Sequence, residues 1–352
     1  MSLAGVSAKK QLELVQEFGS TDKVWASFCC PQNLKQILSD KETEKITQVY
    51  NSNSIKDFET GLENLGIDYI TIESEKYPKQ LKEIFDPPTV LYCKGDISLF
   101  NKDALAIVGT RVCSRYGVEQ TKIFSKALSK AGFVIVSGLA EGIDGIAQQE
   151  CINNGGKTIA VLAGGLNHIY PSINQNLAKE IVKKGGLLIS ENPPSYMPKG
   201  YNFVQRNRII AGLSLGVFVP EASEKSGSLH TVNFANDNGR YIFALPGQVN
   251  SSKSAGTNRL IKNLQGCCVL EPNDIISQFP QFKKQQKEKS KAVQLDINEQ
   301  LILGAVQEEE VHFDEILRKT QLDTKTLNSL LTRMEIRGLI IRLGGNYFTT
   351  KH

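Results

Sequence analysis

Two arginines, Arg206 and Arg208, stand two residues apart just before the apolar run Ile209-Ile210-Ala211, which a folded chain would bury. An arginine keeps its charge at physiological pH and offers a planar fork of donors that suits phosphate or carboxylate. Two permanent cations at the edge of a core therefore require an anion, which is either an acidic side chain of the protein or a bound ligand.

The segment of residues 221–231, EASEKSGSLHT, favours a ligand. It places Lys225 and the small residues Ser226, Gly227 and Ser228 directly before a predicted helix. Backbone amides and hydroxyls at the start of a helix can hold a phosphate. Together the two stretches predict a site for a phosphorylated chain or a nucleotide.

A repeated unit that begins at Ala104 must position these residues: a short apolar run, a glycine turn, an amphipathic run and another glycine. Strands that are apolar on both faces and alternate with helices indicate a parallel sheet covered on both sides. We predict an α/β, Rossmann-like, doubly wound and mostly parallel sheet, with its ligand beyond the carboxyl ends of the strands. The predicted strands cover residues 105–108, 134–136, 158–162, 187–189, 215–219, 242–245 and 268–270, and predicted helices cover 119–131, 175–184 and 231–238.

Small residues follow the predicted strands and let a ligand approach the backbone closely. Gly109 and Thr110 lead to Arg111 after the first strand, Gly138 follows the second and Gly164 the third. Glycines that only end helices or allow tight turns are the alternative. That alternative does not explain several arginines at one rim, which repel one another unless an anion or an acid offsets them.

We expect one of Arg206 and Arg208 to contact the ligand and the other to pair with an acid inside the protein. The acidic candidates are Asp144, Glu191 and Glu221. Aromatic side chains near the same rim could stack on bases, which contributes about 1 to 3 kcal/mol per base. The aromatic candidates are Tyr170, Tyr201 and Phe203, and plain core packing is the alternative for the last of them.

The glycine spacing excludes the common nucleotide cofactors. The G-x-G-x-x-G spacing of NAD and FAD sites and the Walker-type run of ATPases are both missing, so no cofactor is expected. His168 and His230 are the histidines of the Rossmann-like part, and neither has a nucleophile at a recognisable spacing. Asp144 and Glu221 could act as acid and base on a glycosidic bond, but a carboxylate at a strand end is more often an arginine partner or a helix cap. We therefore expect a binding protein rather than an enzyme.

At 352 residues the chain is long enough for two or three domains, and its net charge of +4 indicates nucleic acid only if the basic surface is local. The seven cysteines form no C-x-x-C pair, which disfavours disulfides and a metal site. No apolar run approaches the roughly 18 to 20 residues that span a bilayer, and the first residues lack the features of a signal peptide. We expect a reduced, cytoplasmic protein without a membrane segment.

Four segments follow from these patterns. Residues 1–75 show helical spacing and predict a small accessory domain, SAM-like or helix-hairpin-helix-like, while residues 76–280 hold the extended Rossmann-like domain. Residues 281–291 are rich in lysine and glutamine and predict a linker. Residues 292–352 predict three helices and a hairpin, the order of a winged helix. Acidic residues outnumber basic ones there, which favours a protein contact or a structural role over DNA binding.

Residues 104–274 resemble the DNA processing protein A family, also called DprA or Smf. The motifs stand in the family's order and extend over about half of the chain. They are IVGTR at 107–111, SGLAEGID at 137–144, KTIAVLAGGL at 157–166, Tyr170-Pro171, Ser190-Glu191, RNRIIAGLS at 206–214, EASEKSGSLHT at 221–231 and ALPG at 244–247.

The resemblance implies a protein that binds single-stranded DNA without ATP, hands it to a RecA-type recombinase and protects incoming strands during natural transformation. It also implies a homodimer formed through the Rossmann-like domain and a basic pocket lined by Arg111 and the region around Arg206 and Arg208. Such a grip on phosphates is independent of sequence and weakens with salt. The predicted DNA-binding residues are Arg111, Gly138, Gly164, Tyr170, Phe203, Arg206, Arg208, Lys225, Ser226, Gly227 and Ser228, with no catalytic residue and no metal ligand.

Three residues depart from the family's pattern. Gln148 stands where a histidine is usual, which removes a proton-transfer group and fits a binding role. Ser172 follows Tyr170-Pro171 where relatives are often basic, and Glu141 stands where lysine is common. The last two weaken the positive field of the pocket, so we expect a lower DNA affinity than in relatives.

Two other functions stay open. Some phosphoribohydrolases share this glycine-rich layout, but they use a P-G-G-x-G-T turn followed by a glutamate. Pro246-Gly247-Gln248 and Ser226-Gly227-Ser228 stand in this chain instead, which counts against such a nucleotide-processing enzyme. A protein adaptor, whose terminal domains carry the function, is the third possibility.

Overall fold

The computed structural model describes residues 6, 8–27, 34, 37–51, 54–282, 296–306 and 310–350. The chain divides into two compact units, residues 1–283 and 284–352. Most of the predicted linker at 281–291 lies outside the described residues, as do Cys29, Cys30 and His352. Its first two residues still belong to the first unit, because the ring of Phe282 stacks on Phe133 with centroids 3.9 Å apart.

The N-terminal segment is helical up to residue 65 and forms a small apolar cluster around Leu14, Val24 and Ile46. Our expectation of helical structure as far as residue 75 is wrong, because Gly66 takes a φ of +61° after the last helix and the chain then extends into a strand. The β-favouring run Tyr69-Ile70-Thr71 explains the change. The helices are α1 (Ala8–Phe18), α2 (Thr21–Ser27), α3 (Asp40–Asn51) and α4 (Ser54–Leu65), and the strand is β1 (Asp68–Thr71).

The first unit is built on a sheet with the order β1-β2-β6-β5-β4-β3-β7-β8-β9. Strands β3 to β9 run parallel, while β1 and β2 add an antiparallel edge next to β6. The predicted mostly parallel sheet is confirmed, and each predicted strand lies within two residues of an observed one. The further strands are β2 (Val90–Gly95), β3 (Ala104–Ile107), β4 (Val134–Ser137), β5 (Thr158–Val161), β6 (Leu187–Ser190), β7 (Gly216–Val219), β8 (Tyr241–Ala244) and β9 (Cys267–Cys268).

Three hydrophobic clusters cover the two faces of this sheet. Successive side chains of a strand point to opposite faces, so Ala104 and Ala106 of β3 enter one cluster and Leu105 and Ile107 enter another. Because β3 pairs with β4 on one side and β7 on the other, the strand order reverses there, and a crevice opens at the carboxyl ends of these strands. The covering helices are α5 (Lys79–Lys82), α6 (Arg115–Ala131), α7 (Ile143–Asn153), α8 (Gln175–Lys183), α9 (Gly200–Gly212), α10 (Ser228–Asp237), α11 (Ala255–Lys262) and α12 (Pro272–Ile276).

The second unit has the predicted winged-helix order of three helices and a small antiparallel sheet, β10-β12-β11. Its buried carboxylate, Glu299, accepts hydrogen bonds from Arg333 at 2.9 Å and Arg337 at 2.6 Å. Within the described residues, every helix of the protein is too short or too polar to span a lipid bilayer. The elements are α13 (Ile297–Val306), β10 (Val311–His312), α14 (Phe313–Thr320), α15 (Thr324–Ile336), β11 (Ile340–Arg342) and β12 (Tyr347–Thr350).

Candidate nucleic-acid interface

A cleft of about 570 Å³ lies at the carboxyl ends of β3 and β7, where the strand order reverses. Arg111 reaches it from the loop after β3, Phe203 and Arg206 from α9, and the turn before α10 closes its far side. A smaller pocket shares Arg111, Phe203 and Arg206 and continues toward Tyr170. The structure therefore brings together Arg111, Gly138, Tyr170, Phe203, Arg206, Ser226, Gly227 and Ser228 of the predicted residues.

An exposed cation and two aromatic rings form a short stack at the mouth of the smaller pocket. The guanidinium carbon of Arg111 lies 5.6 Å from the ring centre of Phe203, within the range of a cation–π contact. The ring of Phe203 meets that of Tyr170 edge to face at 5.5 Å. Phe203 is half-buried and Tyr170 is exposed, so both rings border the cleft rather than the core. A base can therefore reach these rings without a rearrangement of the core.

Arg206 forms the buried floor of the cleft and is only 5% exposed. One of its terminal nitrogens donates to the carbonyl oxygens of Gly138 and Val161, and its Nε donates to the side chain of Asn207 at 3.0 Å. Burial lowers the pKa of Arg206 to about 10; the carboxylate of Asp144 opposes this and the charge of Arg111 adds to it. The side chain still carries its positive charge at neutral pH.

The loop after β4 holds this arginine in place. A Cβ atom on Gly138 would come within 2.6 Å of the guanidinium of Arg206, so a larger residue there would displace the guanidinium from its present position. The Gly138 amide donates to Asp144 at 3.0 Å, and burial raises the pKa of that carboxyl group against the opposing charge of Arg206. Leu139 takes a φ of +55°, and its amide donates to the side chain of Gln148 at 3.1 Å. The buried amide of Gln148 thus fixes the loop, a role that its spacing in the sequence did not indicate.

The turn before α10 presents small polar groups to the cleft. The hydroxyls of Ser226 and Ser228 are 2.8 Å apart, and both serines and Gly227 line the cleft. Because α10 begins at Ser228, the positive end of its dipole points toward the same space. The predicted small-residue turn therefore lies beside Arg111 and Arg206, where an anion would meet all three.

Arg208 does not line the cleft. Its guanidinium donates to Glu191 at 3.1 and 2.7 Å and to Asp86 at 3.1 Å, and its side chain is 6% exposed. Positions two apart on a helix point about 200° away from each other, so Arg206 and Arg208 of α9 face opposite sides. Our expectation that one arginine pairs internally with an acid agrees with this geometry, and Arg208, which we had also predicted to contact DNA, is the arginine that the structure places away from the cleft.

Two further predicted residues stand apart from the cleft. Gly164 accepts a hydrogen bond from Ser190 at 2.7 Å, and a Cβ there would come within 2.7 Å of Pro198, so its small size serves packing. Lys225 is exposed on the turn before α10 and does not line the cleft. Both lie outside the group that the fold brings together.

Several residues around the cleft were missed by the sequence analysis or had a different role there. Asn207 and His230 line it because they lie one helical turn or less from residues that we had predicted. Glu221 was expected to offset an arginine, but its carboxylate accepts from the amide of Ser114 at 2.8 Å and so fixes the start of α6. Among the described residues, no cluster of histidine, cysteine, aspartate and glutamate could hold a metal ion.

The fold and the cleft define the class: an α/β protein with an arginine-lined cleft at the switch point of a mostly parallel sheet, in a chain that also contains a winged helix. Residues 68–280 match the family model described as DNA recombination-mediator protein A, and residues 286–346 match the DprA winged helix domain. The chain belongs to the DNA recombination-mediator protein A family. The resemblance seen in the sequence motifs is thereby confirmed.

Known relatives cover most of the chain. DNA processing protein DprA of Bacillus subtilis is 44% identical over 225 residues, which are 63% of this chain and 75% of the relative. Protein Smf of Synechocystis is 32% identical and covers 96% of this chain and 93% of its own. The structure of DNA processing protein A from Streptococcus pneumoniae is similar with a TM-score of 0.65 at 33% identity, over 79% of this chain and 95% of that chain. The structure of a Helicobacter pylori DNA processing protein A, described for its single-stranded DNA binding mode, is similar with a TM-score of 0.55 at 34% identity, over 63% of this chain and 97% of that chain.

Proposed function

We propose that the cleft binds single-stranded DNA without reading its sequence and that the protein acts as a recombination mediator. The observation that carries this proposal is the convergence of Arg111, Arg206 and the start of α10 at one edge of the sheet. Guanidinium groups and helix-start amides bind phosphates whatever bases they carry. The Helicobacter pylori relative, 34% identical, is described for the same kind of ligand and supports the proposal.

The aromatic stack favours a single strand over a duplex. Bases of a duplex are already stacked on each other, whereas unpaired bases can stack on protein rings. Phe203 and Tyr170 stand directly beside the two arginines, so a strand whose phosphates contact Arg111 places a base at these rings. The negative charge of Glu141 lies in the smaller pocket, and Ser172 supplies no positive charge. We therefore still expect a lower affinity for DNA than in relatives with basic residues at these positions.

As a mediator, the protein would bind the strand and pass it on without a chemical reaction. The two carboxylates that we considered as acid and base are used by the backbone, since Asp144 accepts from Gly138 and Glu221 accepts from Ser114. Membership of the family supports a role as recombination mediator. We further propose that the protein passes the strand to a RecA-type recombinase in natural transformation, as a cytoplasmic homodimer formed through the Rossmann-like domain.

Fluorescence anisotropy with a labelled 20-residue thymidine oligonucleotide and with a duplex of equal length tests the proposal. The single strand should bind more tightly, and its log affinity should fall with log salt by about 0.7 for each phosphate contacted. Arg111→Ala should weaken binding with an unchanged melting temperature. Arg115→Ala is the matched control, because this exposed arginine pairs with Glu119. Equal binding of both forms of DNA, or parent-like binding by Arg111→Ala, would remove the basis of the proposal.

A further inference from the structure

A row of three lysines runs along the exposed side of α6, the helix that begins just after the Arg111 loop. Lys122, Lys126 and Lys130 are all exposed and stand four residues apart, so each step is about 6 Å along the axis and all three share one face. In the part of the chain that the structure describes, none of the three ammonium groups has an ion pair or a hydrogen bond. The row is therefore a linear array of free positive charge.

The helix that carries this row is firmly held. Its other face buries Phe124 and Leu128 in the core, and Ser114 caps its first turn by accepting from the amide of Gly117 at 3.0 Å. The lysine positions are consequently fixed relative to Arg111, which stands four residues before the first helical residue. Because the three lysines are exposed, we expect their substitution to leave this packing intact.

A groove of about 410 Å³ begins at Lys122, the first lysine of the row and the one that lines it, and its other walls come from α7, α8 and the loops before them. Its polar lining is rich in side-chain amides. The amide nitrogens of Gln149 and Asn174 already donate within the protein, but the oxygens of these side chains can accept from the edges of bases. Ile173, which is 75% exposed, adds an apolar surface at the same place. The amides belong to Gln149, Asn153, Asn174 and Asn176.

The groove lies next to the cleft, because the same two loops contribute residues to both. In the loop after β4, Ala140 lines the cleft and its smaller pocket, while Gly142 lines the groove. In the next loop, Pro171 lines the smaller pocket and Ile173 lines the groove. Two adjacent segments thus form walls of both spaces, and a chain that passes Tyr170 would enter the groove next.

Two acids in the groove set the orientation of such a chain. Glu150 accepts from Asn154 at 2.7 Å and Glu180 accepts from Gln149 at 3.2 Å, and both line the groove. Their negative charge repels phosphates, so the phosphates would lie on the lysine side and the bases on the amide side.

We propose that single-stranded DNA leaving the cleft continues along this groove, with successive phosphates on Lys122, Lys126 and Lys130 and its bases among the amide side chains. This inference rests on the proposed function of the cleft and adds a second binding segment to it. Three more phosphates then contribute to the salt dependence, and only a strand longer than the cleft can reach them.

Anisotropy with labelled thymidine oligonucleotides of 6 and 20 residues tests this segment in the full chain. Replacement of Lys122, Lys126 and Lys130 by glutamine should weaken binding of the longer strand about tenfold and lower its salt slope by about 2, the value for three phosphates. Binding of the 6-residue strand should not change. The matched control replaces the exposed Lys41, Lys45 and Lys56 of the N-terminal helices by glutamine and should leave both strands unaffected.

The outcomes separate this inference from the function of the cleft. Parent-like binding of the longer strand, an equal loss for both lengths, or an equal loss in the control variant would overturn the groove path. Lys126→Glu is a second variant, and it should reduce the affinity for the longer strand more than Lys126→Gln does. If Arg111→Ala binds both strands like the parent, the cleft assignment itself fails, whatever the lysine variants show.

Discussion

Arg208→Ala should destabilise the fold, whereas Arg111→Ala should weaken DNA binding. Arg208 is buried, and its fork bonds both oxygens of Glu191 and one oxygen of Asp86. Removing one partner of a buried ion pair costs about 3–5 kcal/mol. The side chains of Glu191 and Asp86 are 19% and 36% exposed, so water replaces part of the lost bonds. We therefore expect a loss of about 2–3 kcal/mol in the free energy of unfolding.

Calorimetry and anisotropy on the same samples would separate the two roles. A loss of 1 kcal/mol lowers the melting temperature of a domain of this size by roughly 2–4 °C, so Arg208→Ala should melt about 5–10 °C below the parent. At a temperature where the variant is fully folded, its affinity for the 20-residue strand should equal that of the parent.

Arg208→Lys sharpens the test because it keeps the charge and removes the planar fork. We expect its melting temperature to lie between those of the parent and Arg208→Ala. A lysine ammonium group cannot reproduce the two parallel bonds to Glu191 and the bond to Asp86 at the same time. If Arg208→Ala melted like the parent and lost DNA binding, the guanidinium would be contacting the strand, and our account of α9 would be wrong.

Two further predictions concern other parts of the protein. Phe203→Leu should weaken binding of the single strand about tenfold by anisotropy, because it removes one stacking ring, while the melting temperature stays close to that of the parent; unchanged affinity would refute stacking. In the C-terminal unit, burial tends to raise the pKa of Glu299, but hydrogen bonds from the Asp296 backbone, Arg337 and Arg333 outweigh it and hold the pKa below its ordinary value. The stabilisation from Glu299 is thus fully present above about pH 4.5 and is lost as the pH falls below it, so the melting temperature of the winged helix should fall in the parent as the pH is lowered through this range. Glu299→Gln should lower the melting temperature by several degrees at pH 7 and make it less dependent on pH. A parent-like melting temperature of Glu299→Gln at pH 7 would contradict this account.

The parallel sheet could be predicted because its strands are short apolar runs between glycine turns, a pattern that local sequence carries in full. The antiparallel edge could not be predicted in full, since β1 lay in a segment that we expected to be helical. The choice between helix and strand there depends on pairing with β2, which lies about 20 residues further along the chain.

The candidate site also combines features that the local sequence predicts with features that depend on residues far apart in the chain. Helix α9 buries polar as well as apolar residues, so the sequence of residues 200–212 lacks the clear apolar face by which a helix is recognised. Because the helix was not predicted, the opposite directions of Arg206 and Arg208 could not be predicted either. The pairing of Arg208 with Asp86 spans 122 residues along the chain, and no local spacing specifies it. Arg111 and the Ser226–Ser228 turn were predictable because strand ends and helix starts collect at one edge of such a sheet.

The buried position of Arg206 has a consequence for the speed of binding. Its guanidinium connects the backbone that follows β4 to the last residue of β5, so it cannot swing between rotamers as an exposed arginine does. A ligand therefore meets a charge that is already immobilised, and it avoids the roughly 0.5–1.5 kcal/mol that ordering a flexible side chain would require. Strand capture at this floor should be governed by diffusional encounter, with no slow conformational phase in stopped-flow traces.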